Sequence, residues 1–241
     1  MFLCAWVLLG FAAGQSLDAE VFIKMKHRTD AFEVMGMQQP AVDFVSEIWM
    51  AKDMLRSDSQ GTSTLLRLDK NAMYMIDHAR KSYVEVPLDQ SPVQPGLSES
   101  EGMKFDIKIT ETNEKKKIGD WNCQKYLQVI DFGMEPMKAE IWATEDLSID
   151  KDLYARQASA MFGKGPAPSS EDMMKELKKI KGVHVLTVST VDMMGTQVKT
   201  TQELIEFKES KAPEDHFEIP SSYKARKPSD MMQGMPVMEE E

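Results

Sequence analysis

Apolar and polar side chains alternate along much of the chain, most clearly between residues 62 and 86. Polar turn formers divide this segment into three short runs, first at residues 69–71 and again at residues 77–81. Alternation with a period of two is typical of strands with one dry and one wet face. The segment therefore predicts three successive antiparallel strands. Their apolar faces carry Leu66 and Leu68, then Met73 and Met75 or, in the opposite register, Tyr74 and Ile76.

The same alternation predicts further strands on both sides of this segment. A connection is predicted at residues 30–43, which contain Pro40. A turn is predicted at residues 111–117, which are highly charged. Residues 88–102 form a loop by composition, because Pro, Gly and Ser are frequent there. The additional strands are predicted at residues 19–28, 44–56, 103–109, 121–131, 137–144, 183–191 and 197–207, with a short last element at 217–219.

Two amphipathic helices interrupt the strands, at about residues 149–163 and 170–181. The first has apolar side chains at three-four spacing and ends at Gly163. The second can be capped by Ser169 or Ser170, has acidic residues in its first turn and lysines in its last, and ends at Gly182. In a protein that is otherwise a sheet, such helices must lie across the open face or the rim. These elements predict one α+β, mainly β domain over residues 19–223.

The two ends of the chain differ from this domain. Residues 2–13 are an apolar run that ends in small residues, which predicts a secretory signal peptide at residues 1–14. No Lys or Arg precedes the run, so a buried N-terminal strand or helix stays an alternative. From residue 224 the chain is polar, Met-rich and finally acidic, which predicts a disordered tail. We therefore expect an exported protein in the periplasm or cell envelope. Removal of the signal peptide would leave one cysteine, Cys123, which we expect to be a small buried hydrophobe.

Charge and motifs narrow the range of functions. The formal net charge of −10 repels nucleic acid and anionic membrane surfaces. The four histidines, His27, His78, His184 and His216, lie in none of the common catalytic motifs, and no phosphate loop or metal-ligand array is present. We expect no cofactor and no enzymatic activity. A hydrolase stays an alternative only if two of the histidines meet a serine or carboxylate in one cleft.

Methionine is frequent, with 20 residues that often occur in close pairs. It fills irregular apolar cores, and its thioether is also a soft ligand for monovalent copper. Packing accounts for most pairs on predicted strands and helices. The best copper candidate is therefore the cluster in the predicted tail, formed by Met231, Met232, Met235 and Met238.

Several local patterns, in the order in which they occur, resemble a bacterial family of exported proteins that is known only as a domain of unknown function. That family in turn is similar to the lipoprotein-carrier superfamily of LolA and LolB. The resemblance spans nearly the whole mature chain. It rests on residues 48–50, 54–56 and 66–86, Ile118 and Gly119 with Cys123 and Tyr126, residues 140–142, and residues 217–220 before Tyr223.

The resemblance implies a curved antiparallel sheet, or half-open barrel, with the two helices as a lid over an apolar concave face. It also implies that lipid or lipoprotein acyl chains are sheltered there, with Arg56 as a latch between lid and sheet. Separately, we expect a monomer. An exposed strand-end arginine and a filled core without a cavity remain the alternatives. The expected lining is Trp49, Leu66, Leu68, Met73, Met75, Phe105 and Ile107, and the expected lid residues are Met161, Phe162, Met173 and Leu177.

Overall fold

The computed structural model describes residues 20–88, 106–131, 135–147 and 170–227. Within these ranges it contains fourteen strands, one α-helix, α1 (Ser170–Leu177), and the short 3-10 helix Leu68–Lys70. The strands are β1 (Val21–Thr29), β2 (Phe32–Val34), β3 (Met37–Gln39), β4 (Val42–Ala51), β5 (Met54–Ser59), β6 (Thr62–Arg67), β7 (Ala72–Asp77), β8 (Ser82–Pro87), β9 (Asp106–Ile118), β10 (Trp121–Asp131), β11 (Met137–Thr144), β12 (Val183–Met193), β13 (Thr196–Glu209) and β14 (Lys224–Arg226).

Twelve of these strands form one sheet, in the order β14-β8-β7-β6-β5-β4-β1-β13-β12-β11-β10-β9. Every pairing in it is antiparallel except the parallel pairing of β14 with β8. Because β14 and β9 lie at the two ends of this order, the described sheet is open. The predicted mainly β class and antiparallel sheet are confirmed, and so is the meander at residues 62–86, which forms β6, β7 and β8.

Other boundaries differ from the prediction. The run at residues 44–56 is two strands, β4 and β5, because a turn at Lys52 and Asp53 reverses the chain. The predicted connection at residues 30–43 contains the β2–β3 hairpin. The charged residues 111–117 continue β9 rather than form a turn, because β9 is an edge strand whose outer half is wet on both faces.

Several predicted segments lie outside the described residues: the signal peptide, the first helix at 149–163, and most of the loop at 88–102. Of the predicted tail, residues 224–227 are described and the residues after 227 are not. Its first residues, Lys224–Arg226, form β14 beside β8. The short element predicted at residues 217–219 is part of a turn-rich stretch, residues 210–223, which we call the C-terminal segment.

The sheet has two faces, and adjacent residues of a strand point to opposite ones. We call the face that carries Val21, Met50 and Trp142 the front face and the other the back face. Buried Val185, Leu204 and Cys123 belong to the same front-face core. The Cys123 side chain is buried as predicted, and burial raises the pKa of its thiol.

The back face carries two separate cores. Near β9, β10 and β11, the helix α1 packs through Leu177 onto a core that includes Ile107, Tyr126 and Ile141. Farther along the sheet, the C-terminal segment packs through Phe217 onto β6 and β7. Helix α1 and the C-terminal segment therefore both cover the back face, and the predicted two-helix lid is not supported.

Candidate functional site

The residues predicted to line one cavity lie on different faces of the sheet. Leu66, Met73 and Met75 share the front face, where Leu66 and Met73 are direct cross-strand partners. Trp49 and Ile107 lie on the back face, Trp49 against His216 and Ile107 beneath α1, so they do not line a cavity with Leu66. The reason is strand alternation, which turns Trp49 away from its neighbour Met50.

The remaining predicted residues are scattered. Leu68 lies in the 3-10 helix and is half-buried. Leu177, predicted as part of the lid, packs on the back face. Phe105, Met161 and Phe162 lie outside the described residues, as does the side chain of Met173.

An unbroken row of apolar side chains crosses half of the front face. Each member is the direct cross-strand partner of the next, across β8, β7, β6, β5, β4 and β1. Five strand spacings of ~4.8 Å make the row roughly 24 Å long. We call it the apolar row, and its members are Val86, Met73, Leu66, Leu55, Met50 and Val21.

Two arginines on the back face bind the C-terminal segment. Arg56 Nη1 donates to the carbonyl oxygen of His216 at 2.9 Å, and Arg67 Nη1 donates to the carbonyl oxygen of Phe217 at 2.9 Å. Arg67 also binds both carboxylate oxygens of Asp69, at 2.8 and 2.7 Å. We call Arg56 and Arg67 the arginine clamp. Arg56, the predicted latch, thus holds the C-terminal segment on the sheet, and its side chain is only 11% exposed.

A polar network joins the clamp to the end of the segment. Ser63 Oγ lies 2.5 Å from His78 Nε2 and accepts a hydrogen bond from Arg56 Nη2 at 3.1 Å. Ser63 also donates to the carboxylate of Asp58. His78 Nδ1 lies 2.9 Å from the hydroxyl of Tyr223, the last residue of the segment. A serine and a histidine are therefore in contact, as a hydrolase requires.

The proton positions in this network oppose a nucleophilic role for Ser63. The carboxylate of Asp58 only accepts, so the single hydroxyl proton of Ser63 points to Asp58 rather than to His78. His78 must then donate from Nε2 to Ser63. Ser63 Oγ thus uses both lone pairs and its proton, and the residue is only 2% exposed. In this arrangement the network stabilises the fold, and Ser63 is not placed to act as a nucleophile.

His216 also lies beside a carboxylate, since its Nε2 is 3.7 Å from Asp58 Oδ2. Burial and then the charge of Arg56 lower the pKa of His216. Nε2 is buried and has no hydrogen-bond partner within the described part of the chain. The ring is therefore neutral at pH 7 and packs by its edge against Trp49. Two histidines do meet a serine and a carboxylate, but neither pair is arranged for acyl transfer.

Replacing Ser63 by alanine should lower the free energy of unfolding by about 1–3 kcal/mol, because Arg56, Asp58 and His78 each lose a buried partner. Urea denaturation measures this loss. Ser57→Ala, on the other face of β5, is the control and should stay within about 0.5 kcal/mol of the wild type. Labelling of the wild type, but not of Ser63→Ala, by a fluorophosphonate would contradict the structural role.

Sequence reasoning did not find Ser63, Asp58, Arg67 or Tyr223, and it left His78 and His216 without partners. The contacts to the C-terminal segment join residues that are 145 to 160 positions apart, so no local spacing predicts them. The polar character of Ser63 and Arg67 gave no local signal, because alternation predicted the face of β6 opposite Leu66 to be wet.

Among the described residues, no three His, Cys, Asp or Glu side chains come together as ligands for a metal ion. The helices described there include none that is long and apolar enough to cross a membrane.

These features define a mainly β protein with one large open sheet, an apolar row on its front and an arginine clamp on its back. The sequence profile of the family DUF4412, described as a domain of unknown function, matches residues 33–223. The chain belongs to this family. The matched range extends from β2 to Tyr223 and so includes the whole clamp network. A search of curated proteins finds no match to the chain.

Proposed function

We propose that this chain is an exported, non-enzymatic protein that binds an apolar ligand, most directly a lipid acyl chain, along its front face. The observation that carries the proposal is the apolar row, in which six strands in succession each place an apolar side chain at the same level. Its length of roughly 24 Å exceeds the ~15 Å depth of one bilayer leaflet, half of a ~30 Å hydrocarbon core.

The chemistry of the row suits such a ligand. An alkyl chain gains about 0.8 kcal/mol per buried methylene without polar partners. Met50 and Met73, two of the six residues, have unbranched and polarizable side chains that adapt to ligands of varied shape. The resemblance to the LolA and LolB carriers, which shelter acyl chains on a curved sheet, supports the same proposal, as does the apolar N-terminal run for export.

A filled core is the second candidate, and a specific observation favours it. Val21, Met50 and Leu66 in the row are each 5% exposed or less, so this part of the row is shielded from water without a ligand. In that case the protein would act as a structural or interaction module. The two candidates differ in whether an apolar ligand can occupy the front face.

Native mass spectrometry and lipid extraction of the purified mature protein test the proposal, together with binding of a fluorescent fatty acid. Leu66→Phe places extra volume on the front face, and we expect it to weaken binding of the probe by at least ~10-fold, or about 1.4 kcal/mol. The matched control is Leu65→Phe, which overpacks the back face of the same strand by the same volume. Each substitution costs about 1–3 kcal/mol of stability, so both variants should fold.

Equal effects of the two substitutions on probe binding would contradict a front-face site. If no lipid co-purifies and the fatty acid does not bind to the wild type, the filled-core candidate replaces the proposal.

A further inference from the structure

The C-terminal segment is attached to the sheet at both of its ends. At its start, the amide of Ser210 donates to the carbonyl oxygen of Glu20 at 3.0 Å, and just after its end the amide of Lys224 donates to the carbonyl oxygen of Lys81 at 3.0 Å. Between these two bonds the main chain of residues 210–223 forms local turns and no strand. Such a segment can open locally while the sheet stays folded, because few backbone hydrogen bonds have to break.

The middle of the segment contacts the sheet around His216. The ring of His216 lies 5.6 Å from the ring of Trp49 on β4 and 5.6 Å from that of Phe217, between ring centroids. Its side chain is 18% exposed. The carbonyl oxygen of the same residue accepts the 2.9 Å hydrogen bond from Arg56 of the arginine clamp. The charge state of the ring therefore acts on the contact that the clamp forms.

The charges that face the ring from the sheet already have partners. On β5, the carboxylate of Asp58 accepts hydrogen bonds from Arg56 Nε at 2.9 and 3.1 Å, so these two charges neutralise each other. On β4, Glu47 is bound to Lys24 at 2.7 Å. Glu20, which precedes β1, accepts a hydrogen bond from the main chain of the segment.

The charges on the segment itself do not compensate a proton on the ring either. Glu218 is bound to Arg67, and Glu214 and Asp215 point into solvent. A proton on His216 would therefore add a positive charge to a site whose charges are already balanced.

The neutral ring suits this site better than the charged ring. Its Nε2 is buried and has no hydrogen-bond partner in the described ranges. Asp58 Oδ2 is 3.7 Å away, which is beyond hydrogen-bond distance. Burying a charge without its own partner costs far more than burying a neutral polar group. Burial, followed by the charge of Arg56, accordingly lowers the pKa of His216 from its ordinary value of 6.5.

We propose that His216 is an acid-sensitive switch, which releases the C-terminal segment from the back face of the sheet when its ring is protonated. Release carries Phe217 away from Leu65, Tyr74 and Ile76, and so exposes an apolar surface on β6 and β7. The switch lies on the opposite face from the apolar row, and it does not depend on the lipid proposal.

The direction and the pH range follow from linkage. A histidine whose pKa is lower in the docked than in the released segment favours docking above pH 6.5, and this contribution is lost as the pH falls from 6.5 through the lowered pKa. Because one proton is taken up, the ratio of released to docked segment rises by at most ~10-fold per pH unit. Asp69 and Glu218 titrate in a lower range, since their pKa values are lowered from 3.8 and 4.5.

Hydrogen–deuterium exchange of the full chain between about pH 5 and pH 7.5, corrected for the intrinsic pH dependence of exchange, tests the switch. Mass spectrometry follows the peptides from residues 210–223. Their protection should fall several-fold between about pH 6.5 and pH 5, and by no more than ~30-fold. In His216→Phe, which keeps an aromatic ring against Trp49 but has no group to protonate, protection should stay constant over this range. His216→Gln, a polar side chain that does not titrate, should behave in the same way.

His27→Phe is the matched control, because burial also lowers the pKa of His27, which stacks on Phe44 rather than on the segment. This variant should retain the fall in protection of the wild type. Constant protection in the wild type, or a rise on acidification as an ion pair between His216 and Asp58 would give, would overturn the proposal. So would an unchanged fall in both His216 variants, or an equal fall in peptides from β1 and β13, which would mark opening of the whole sheet.

Discussion

Replacing Gly182 by alanine should destabilise the protein by more than about 4 kcal/mol, a magnitude reached by few single substitutions. Gly182 lies between α1 and β12 with a φ of +86°, and a Cβ built there is 1.8 Å from the carbonyl oxygen of Thr144. Neither backbone can move aside, because Thr144 is the cross-strand partner of Val183, the next residue. The substitution therefore combines left-handed strain with a backbone clash.

Urea denaturation, or soluble yield if the variant does not fold, measures this effect. Gly61→Ala is the matched control, since Gly61 has a φ of +79° but nothing within 4 Å of the added Cβ. It isolates the left-handed strain, which is worth about 1–2 kcal/mol. Equal losses at the two positions would show that the close approach of Gly182 to Thr144 is not rigid.

Arg67→Met should lower the free energy of unfolding by about 3 kcal/mol and release the C-terminal segment from the sheet. The substitution leaves the buried carbonyl of Phe217 without its donor and removes two charge-assisted bonds to Asp69. Asp69 and Glu218 are solvated, which limits the loss. Urea denaturation measures the stability, and limited proteolysis within residues 210–223 measures the release.

The arginine also predicts a change in acid stability. Its hydrogen bonds lower the pKa of Asp69 from 3.8 and the pKa of Glu218 from 4.5. A carboxyl group whose pKa is lowered by folding stabilises the protein above its ordinary pKa, and this contribution disappears as the pH falls. The wild type should therefore lose stability below about pH 4.5 more steeply than Arg67→Met.

Arg80→Met is the control for both measurements, because the Arg80 side chain is 69% exposed and pairs with Asp77 at the surface. It should change stability by less than about 0.5 kcal/mol. If Arg67→Met behaves like Arg80→Met, the C-terminal segment is held by Phe217 and its apolar contacts rather than by the arginine clamp.

Alternation of residue types was sufficient to predict much of the sheet. It placed β6, β7 and β8 correctly, although β6 and β7 bury residues on both faces, because polar turns at residues 69–71 and 77–81 separate the three strands. It failed elsewhere for two different reasons. The outer half of β9 is an edge exposed on both faces, so its lysines and glutamates had the composition of a turn. The β2–β3 hairpin was missed because Met35 occupies the position where asparagine would have indicated a turn.

The candidate sites were less predictable, for a different reason. The neighbours of a strand decide which of its faces points inward, and the sequence does not identify those neighbours. Trp49 and Leu66 were therefore predicted to line one cavity, although they lie on opposite faces of the sheet. The arginine clamp joins β5 and β6 to residues about 150 positions later, at Phe217. Hydrogen bonds between residues so far apart in the chain leave no local sequence pattern from which they can be predicted.

The position of β1 has a consequence for how the chain folds. Strands β4 to β8 and strands β9 to β13 are two local meanders, in which each strand pairs with the next one along the chain. Strand β1 lies between these meanders and pairs with β4 on one side and β13 on the other. The sheet is therefore complete only when nearly the whole chain is present, and such a high contact order slows folding. Until β13 has been synthesised, the first strand lacks one of its two neighbours, and the two meanders cannot join into one sheet.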